Sequence, residues 1–522
     1  MRQFEDSIKI SSRRGFLKRA TAASAALLGQ RLPGAKAAQK EPGGAAADAS
    51  REEPRSPRGR KFVAIQVGAV SFVDEGVDKV LDIFQQRAGV NALMLAVFTY
   101  GRGIAGRQVP GQPLPDHGAQ HYDTDTFHGG SYAAVHPEYY ARTVLKDFRA
   151  PDLGDFDLLA AVVPKAKARG MASYCWLEDV YNARLLANFK KVAEVDVYGR
   201  RTGQACLNNP DVRNFLAGLV EDYVKSYDVD GVMWGSERQG PFNNALGARH
   251  GEFNARASLT CFCEHCRRKG QEKGISVDRA REGLIALDEW VNRTWTEPRP
   301  SDGYFVTLWR LLLEYPEILA WEKLWSDSQQ EIYCLLYGTV KNINSRVQVG
   351  WHIWHNNSFS AFYRAEQDYS KLSRASDFLK VVMYNNCGGP RFAQYIRNIH
   401  STIFRDTIPE EVLALHYRIL GYDPESGLDH LPTAGLSADY VARETRRAIA
   451  GVRGRVRIYP GIDIDIPTGK EEKKTQPSDV RAAVRAAFTA GAPGVILSRK
   501  YSEMKLTNLS AAGDALGDLG IR

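Results

Sequence analysis

From Lys61 onward the chain repeats one unit, a short apolar run followed by a segment whose apolar residues recur at helical spacing. This repeat constrains the fold more than any other feature. A run that is apolar throughout needs cover on both faces, and alternation of strands with helices supplies it. Phe62–Val70 is the first run, and Val77, Val80, Leu81 and Phe84 give the helix that follows. Val90–Tyr100 is the second and Ala172–Glu178 the third, preceded by a helical Leu158–Arg169. Asn209-Pro210-Asp211 opens a helix with an N-cap and a first-turn proline, and Phe215, Leu219 and Tyr223 carry it toward a fourth strand, Gly231–Gly235. Val347–Trp354, Phe378–Tyr384, Val456–Ile466 and Gly494–Ser498 complete the set. The clearest late helix starts at Pro477, carries Val480, Val484 and Phe488, and stops at Gly491. Eight such units predict an α/β fold, a (β/α)8 TIM barrel over residues 61–522. A doubly wound open sheet is the competitor, but the Gly-rich turn of a dinucleotide site after the first strand is missing. The long connections follow strands two, three, four and six, and in a barrel such loops build the carboxyl-terminal face where chemistry sits.

A chain of 522 residues with 44% hydrophobic content can bury a full core. The formal charge is +8, with Arg13, Arg14, Lys18, Arg19, Arg51, Arg55, Arg58 and Arg60 crowded near the start. Beyond them the two signs are mixed, so no nucleic-acid partner is expected. Ser12-Arg13-Arg14-Gly15-Phe16-Leu17-Lys18, a modestly apolar Ala20–Gly29 and the small-x-small Ala35-Lys36-Ala37 resemble a twin-arginine export signal. Residues 1–37 are therefore expected to be a signal peptide read by the twin-arginine translocation machinery, a basic disordered tail being the plainer alternative. Residues 38–60, rich in Ala, Gly, Pro and charge, read as a disordered linker. No run long enough for a transmembrane segment appears. The expectation is a periplasmic or secreted protein that folds before export.

Polar residues just past each strand are the candidates for chemistry. Strand four ends Trp234-Gly235-Ser236-Glu237-Arg238, which would place Glu237 in the barrel mouth. Glycosidic cleavage needs a carboxylic acid whose pKa is raised by a partly apolar site, which Trp234 could help provide; an ion pair with Arg238 is the structural alternative. In Tyr459-Pro460-Gly461-Ile462-Asp463-Ile464-Asp465-Ile466 the side-chain alternation turns both aspartates inward. Asp465, nearer the carboxyl end, is the first candidate for the second carboxylate, and Asp463 for support. Arg499, Tyr501 and Glu503 share a parity after strand eight, and Glu503 rivals Asp465. Trp176, Glu178 and Asp179 follow strand three, Trp351, His352 and His355 strand five, and Tyr384 and Asn385 strand six. With Arg238, Arg499 and Tyr501 they are the candidate sugar-binding residues, since indoles stack on sugar C–H faces while amides and imidazoles bond hydroxyls.

Of seven cysteines, three form Cys261-x-Cys263-x2-Cys266 within a predicted insertion, residues 240–303, and Cys206 precedes the helix into strand four. Four thiolates suit a closed, structural Zn2+, with disulfides the competing reading in an oxidising compartment. Cys175, Cys334 and Cys387 are expected to be buried free thiols, and no organic cofactor is expected.

The order Cys206-Leu207-Asn208-Asn209-Pro210, Glu237, Cys261, Cys263, Cys266 resembles the glycoside hydrolase family 42 β-galactosidases, over about an eighth of the chain. The resemblance implies zinc on those four cysteines, acid/base duty for Glu237, a (β/α)8 barrel and a retaining mechanism. Two departures stand out: Ser236 occupies the place of the family's Asn, and Asp463 and Asp465 stand where strand seven has a Glu. They leave the stereochemistry open and argue against a β-galactosidase. Ser498 to Met504 also resembles an S-R-x-Y-x-E-M ending of uncharacterised exported glycosidase-like proteins. The reading is a glycoside hydrolase acting on an extracellular oligo- or polysaccharide, with an inactive carbohydrate-binding barrel as the alternative and zinc-dependent hydrolysis a third.

Overall fold

The computed structural model describes residues 61–99, 102–124, 129–178, 189–252 and 259–521; the predicted signal peptide and linker lie outside them, as does Asp179. Eight parallel strands form the core: β1 (Phe62–Gly68), β2 (Ala92–Thr99), β3 (Ala172–Glu178), β4 (Gly231–Gly235), β5 (Gln348–Ile353), β6 (Phe378–Val382), β7 (Arg457–Asp463) and β8 (Gly494–Ser498). They pair in chain order, and β1 pairs with both neighbours, Ala64 opposite Ala92 and Phe62 opposite Gly494. That closure makes a (β/α)8 TIM barrel and removes the open sheet.

Alternation along each strand sorts the interior into layers. At the amino-terminal end Phe62, Tyr174, Phe378 and Tyr459 plug the barrel, Phe62 stacked on Tyr459 at 4.3 Å between centroids. Ala64, Met94, Met233 and Ile496 sit among the buried residues of the same interior cluster. Farther along, the same inward parity places Gln66, Glu178, His352 and Lys380, so the interior turns polar toward the carboxyl ends.

The opposite parity faces the helices. Trp234 and Trp351 are fully buried there, 5.3 and 4.6 Å from the Tyr333 ring on the long helix Glu317–Ile343. Trp351 also donates to Ala375 O at 2.8 Å. Both therefore belong to the strand–helix core, which corrects the expectation that Trp351 stacks on sugar and Trp234 flanks Glu237.

Helix Pro210–Ser226 starts as its sequence implies, Asn209 accepting from Asp211 N at 2.8 Å with proline in the first turn. The connection after β4 carries helices Glu264–Glu272, Val277–Arg293 and Tyr304–Glu314 before the long one. A short antiparallel hairpin, Ala193–Val195 with Arg201–Ala205, precedes Cys206. No described helix is long and apolar enough to cross a membrane.

Candidate active site

A cavity of about 260 Å3 opens at the carboxyl ends of the strands. Its wall takes Gln66 from β1, Trp176 and Glu178 from β3, Glu237 and Arg238 after β4, His352 from β5, Tyr384 and Arg391 after β6, and Arg499 after β8, with Gln204 from the hairpin. Of the residues chosen from sequence, Glu237, Trp176, Glu178, Arg238, His352, Tyr384 and Arg499 are thus brought together. Glu178 pairs in register with Gly235, so the two cavity carboxylates come from adjacent strands.

Glu237 stands open to the cavity, its side chain 53% exposed, and accepts a hydrogen bond from His352 Nε2 at 3.0 Å. Burial below the rim would raise its pKa, but the His352 bond, with the charge of Arg391 and of His352 and His250 once these protonate in acid, holds it down at about 2. Burial pushes His352 down to about 4, helped by Lys380, so at neutral pH the ring is neutral and acts on Glu237 as an N–H donor. Glu237 is therefore ionised in the resting site, the reverse of the raised pKa expected of a general acid. Arg238 is not its ion-pair partner: Arg238 Nη1 donates to Ala205 O at 3.0 Å and lies 3.7 Å from Glu194.

Behind His352 runs a buried chain. Its Nδ1 meets Lys380 Nζ at 3.1 Å, and Lys380 also bonds the Tyr384 hydroxyl. Burial pushes Lys380 down to about 7, against the opposing pull of Glu237 and Glu178. Gly461 on β7 makes room for it, since a Cβ there would come within 2.7 Å of Lys380 Cε.

The aspartates of β7 and the acid after β8 do not reach the cavity. Asp463 is inward but fully buried, accepting from Cys387 N at 3.1 Å and Ile466 N at 3.0 Å. Asp465 lies past the strand end in a left-handed conformation (φ 66°), which breaks the parity; its carboxylate takes Lys505 N and Asn508 Nδ2, each at 2.7 Å. Burial raises its pKa to about 6. Glu503 is fully buried and forked on Arg499, with Lys500 at 3.9 Å. These three acids are held in contacts between loops and none of them lines the cavity, whereas the expectation put Asp465, Asp463 and Glu503 in its chemistry. Tyr501 is also buried, stacked on His117 at 4.1 Å. Asn385 donates toward Leu436 O, and His355 sits behind Arg391.

The sulfurs of Cys206, Cys261, Cys263 and Cys266 lie within 4.8 Å of one another. Tetrahedral zinc with Zn–S of about 2.3 Å requires S–S edges of about 3.8 Å, whereas a disulfide needs about 2.05 Å. Cys206–Cys263 at 3.4 Å and Cys206–Cys266 at 3.5 Å fit the metal and not the bond, and all seven cysteines are free thiols. Asn208 Nδ2 donates to Cys266 Sγ at 3.3 Å and Cys263 N to Cys261 Sγ at 3.4 Å, the kind of support thiolates need. The cluster can hold a metal ion such as zinc; it borders the hairpin that carries Gln204, and none of the four cysteines lines the cavity. Cys175 and Cys387 are buried as expected, but Cys334 is exposed on the solvent side of the long helix.

Several wall residues escaped the sequence reading. Gln66 and Lys380 had a signal, a polar residue inside an otherwise apolar strand. Arg391, in the second turn of helix Asn385–His400, and Gln204 had none.

No protein-family model matches the sequence, and no curated protein does. Solved structures similar to it are glycoside hydrolases. The β-galactosidase of Halorubrum lacusprofundi shares 14% identity at TM-score 0.48, over 88% of this chain and 58% of that one. A glycoside hydrolase family 42 β-galactosidase from G. stearothermophilus gives 12% and 0.47, over 88% and 57%. An α-L-fucosidase from Paenibacillus thiaminolyticus gives 13% and 0.45, over 88% and 49%. The chain spans about half the length of these structures.

Proposed function

We propose that the protein hydrolyses glycosidic bonds in this cavity, with Glu237 and Glu178 as the working carboxylates. The observation that carries the reading is the pair itself: two acids from adjacent strands line one cavity beside Trp176, whereas Asp463, Asp465 and Glu503 do not line it. Glu237, already ionised, acts as nucleophile or as base toward water, and Glu178 supplies the proton to the departing oxygen. Trp176 offers a face for the sugar ring. The thiolate cluster, saturated by four sulfurs, leaves no position for a metal-bound water and holds the hairpin wall instead.

The test is reducing-sugar release by the full-length protein from plant, algal and bacterial glycans, with Glu237→Gln and Glu178→Gln alongside. Release by the wild type alone supports the pair. Equal release by either variant removes that residue, and glycan binding without release favours the binding-protein reading. We also propose periplasmic or secreted location from the Ser12–Lys18 motif. Replacing Arg13 and Arg14 by Lys should leave the protein in the cytoplasmic fraction.

A further inference from the structure

We infer that the saccharide taken into the cavity is anionic, its carboxylate or sulfate group received by Arg391 and Gln66. The inference rests on the reading of the cavity as a sugar site and names the class of sugar.

Three guanidinium groups border the cavity, and two of them have an acid of their own. Arg499 is forked on Glu503, and Arg238 lies 3.7 Å from Glu194. Arg391 forms no ion pair with any described residue. Its Nη1 donates instead to the neutral ring of His355, meeting Nδ1 at 3.0 Å. The orientation of the chain behind that ring is fixed by its far end. Ser358 Oγ donates to the buried Glu444 carboxylate at 3.1 Å and receives the Tyr440 hydroxyl at 2.9 Å. Tyr440 in turn receives His355 Nε2–H at 3.0 Å, leaving Nδ1 as acceptor for Arg391. Arg391 is therefore held firmly in place by a group that does nothing to balance its charge.

Gln66 lines the same cavity. Its Oε1 accepts from Ser498 Oγ at 2.6 Å, which fixes the amide, and its Nε2 is buried with no acceptor among the described residues. Gln66 Nε2 is a buried donor left unanswered, which is costly unless a ligand answers it, and the half-buried Arg391 lines the same cavity. Hydroxyls of a neutral sugar can accept from Gln66 but bring no counter-charge to Arg391. Glu237 feels the charge of Arg391 but forms no ion pair with it and keeps its own hydrogen bond to His352. A planar carboxylate or a sulfate offers what a guanidinium binds best, several acceptor oxygens on one anion.

The experiment is calorimetric binding to Glu237→Gln, which separates recognition from turnover. The probes are oligogalacturonate, a sulfated galactan oligosaccharide, and neutral galacto- and cello-oligosaccharides of equal length. Binding of an acidic probe at least about tenfold tighter than the neutral ones is expected, and which acidic probe binds tells carboxylate from sulfate. Arg391→Met should cost that probe roughly 10- to 100-fold, and Arg391→Lys less, with the neutral probes little changed. Melting temperatures of the variants check that both fold. Tighter binding of neutral sugars, no binding of either acidic probe, or acidic binding indifferent to Arg391→Met would overturn the inference. Acidic binding retained by a wild type that never releases sugar would sink the hydrolase reading and leave this one standing.

Discussion

At the mouth of β4 and β5, Glu237 stands open in the cavity with one side-chain hydrogen bond among the described residues, to His352. At the mouths of β7 and β8, Asp463, Asp465 and Glu503 each give both carboxylate oxygens to backbone amides, Asn508 or Arg499. The two sides of one rim carry the same residue types and use them in opposite ways. A carboxylate does chemistry only if an oxygen lone pair is left for substrate, so strand position alone does not identify a catalytic acid. What separates the two sides is the chain that follows each strand. After β7 and β8 it supplies Ile466, Lys505 and Asn508 as donors; after β4 it enters a long helical insertion.

The sharpest way to break this contrast is to remove one acid from each side. Glu237→Gln is expected to lower kcat/KM by at least about 10^3-fold with little change in melting temperature. Glu503→Gln should do the reverse, leaving Arg499 and the buried Lys500 without their anion. A loss of about 2 kcal/mol is expected, discounted because Arg499 is a third exposed, with kcat/KM within about tenfold per folded molecule. If Glu503→Gln abolishes turnover in a protein as stable as wild type, the assignment of sides is wrong.

Metal removal tests what fastens the open side. Elemental analysis should find about one zinc per chain, and Cys263→Ser or a strong chelator should lower the melting temperature by several degrees, because a closed site contributes its binding energy to folding. Turnover of the molecules that remain folded should persist. Loss of activity at unchanged stability would instead place the metal in the reaction.

A smaller effect concerns how Glu237 is kept ionised. Its pKa lies below that of a free carboxyl because His352 donates to it, so the ionised form persists until pH falls toward about 2. His352→Phe removes the donor and leaves burial, which acts upward. The acid limb of the kcat/KM profile should therefore move up by one pH unit or more, and an unmoved limb would mean that His352 does not hold the carboxylate.

The sequence was most readable where local chemistry punctuates it. β3, β4 and β8 begin and end where glycines and polar residues predict, and Asn209-Pro210 opens its helix as expected. Closure of the barrel followed from the eightfold repeat. The site was half legible: Glu178 and His352 were found as polar residues at strand ends and alternation placed Asp463 inward, but it failed at Asp465, where a non-glycine residue takes a positive φ that no pattern announces. Parity equally assigned Trp351 to the wall and not the cavity, had it been applied from His352 inward. Arg391 enters from a helix, where strand parity says nothing.

Lys380 was the overlooked signal, a lysine in the apolar strand Phe378–Val382, and it gives the subtlest prediction. Among the described residues its ammonium has no carboxylate in direct contact; it bonds a neutral imidazole and a phenol, and burial brings its pKa from 10.5 to about 7. Between those values the unfolded chain binds a proton that the folded chain does not, so stability contributed at this position rises with pH across that window. Below about pH 6 both states are protonated and the contribution is flat, at its least favourable. Wild type should therefore gain stability relative to Lys380→Met as pH goes from 7 to 10, with little relative change below about pH 6, as read by urea unfolding of both proteins. The loss of two hydrogen bonds in the variant offsets the curve by a constant and leaves its slope intact. A difference that stays level up to pH 10 would mean that Lys380 titrates as it does in water, and the barrel floor beneath Glu237 would then be wet and not the dry relay that keeps His352 neutral.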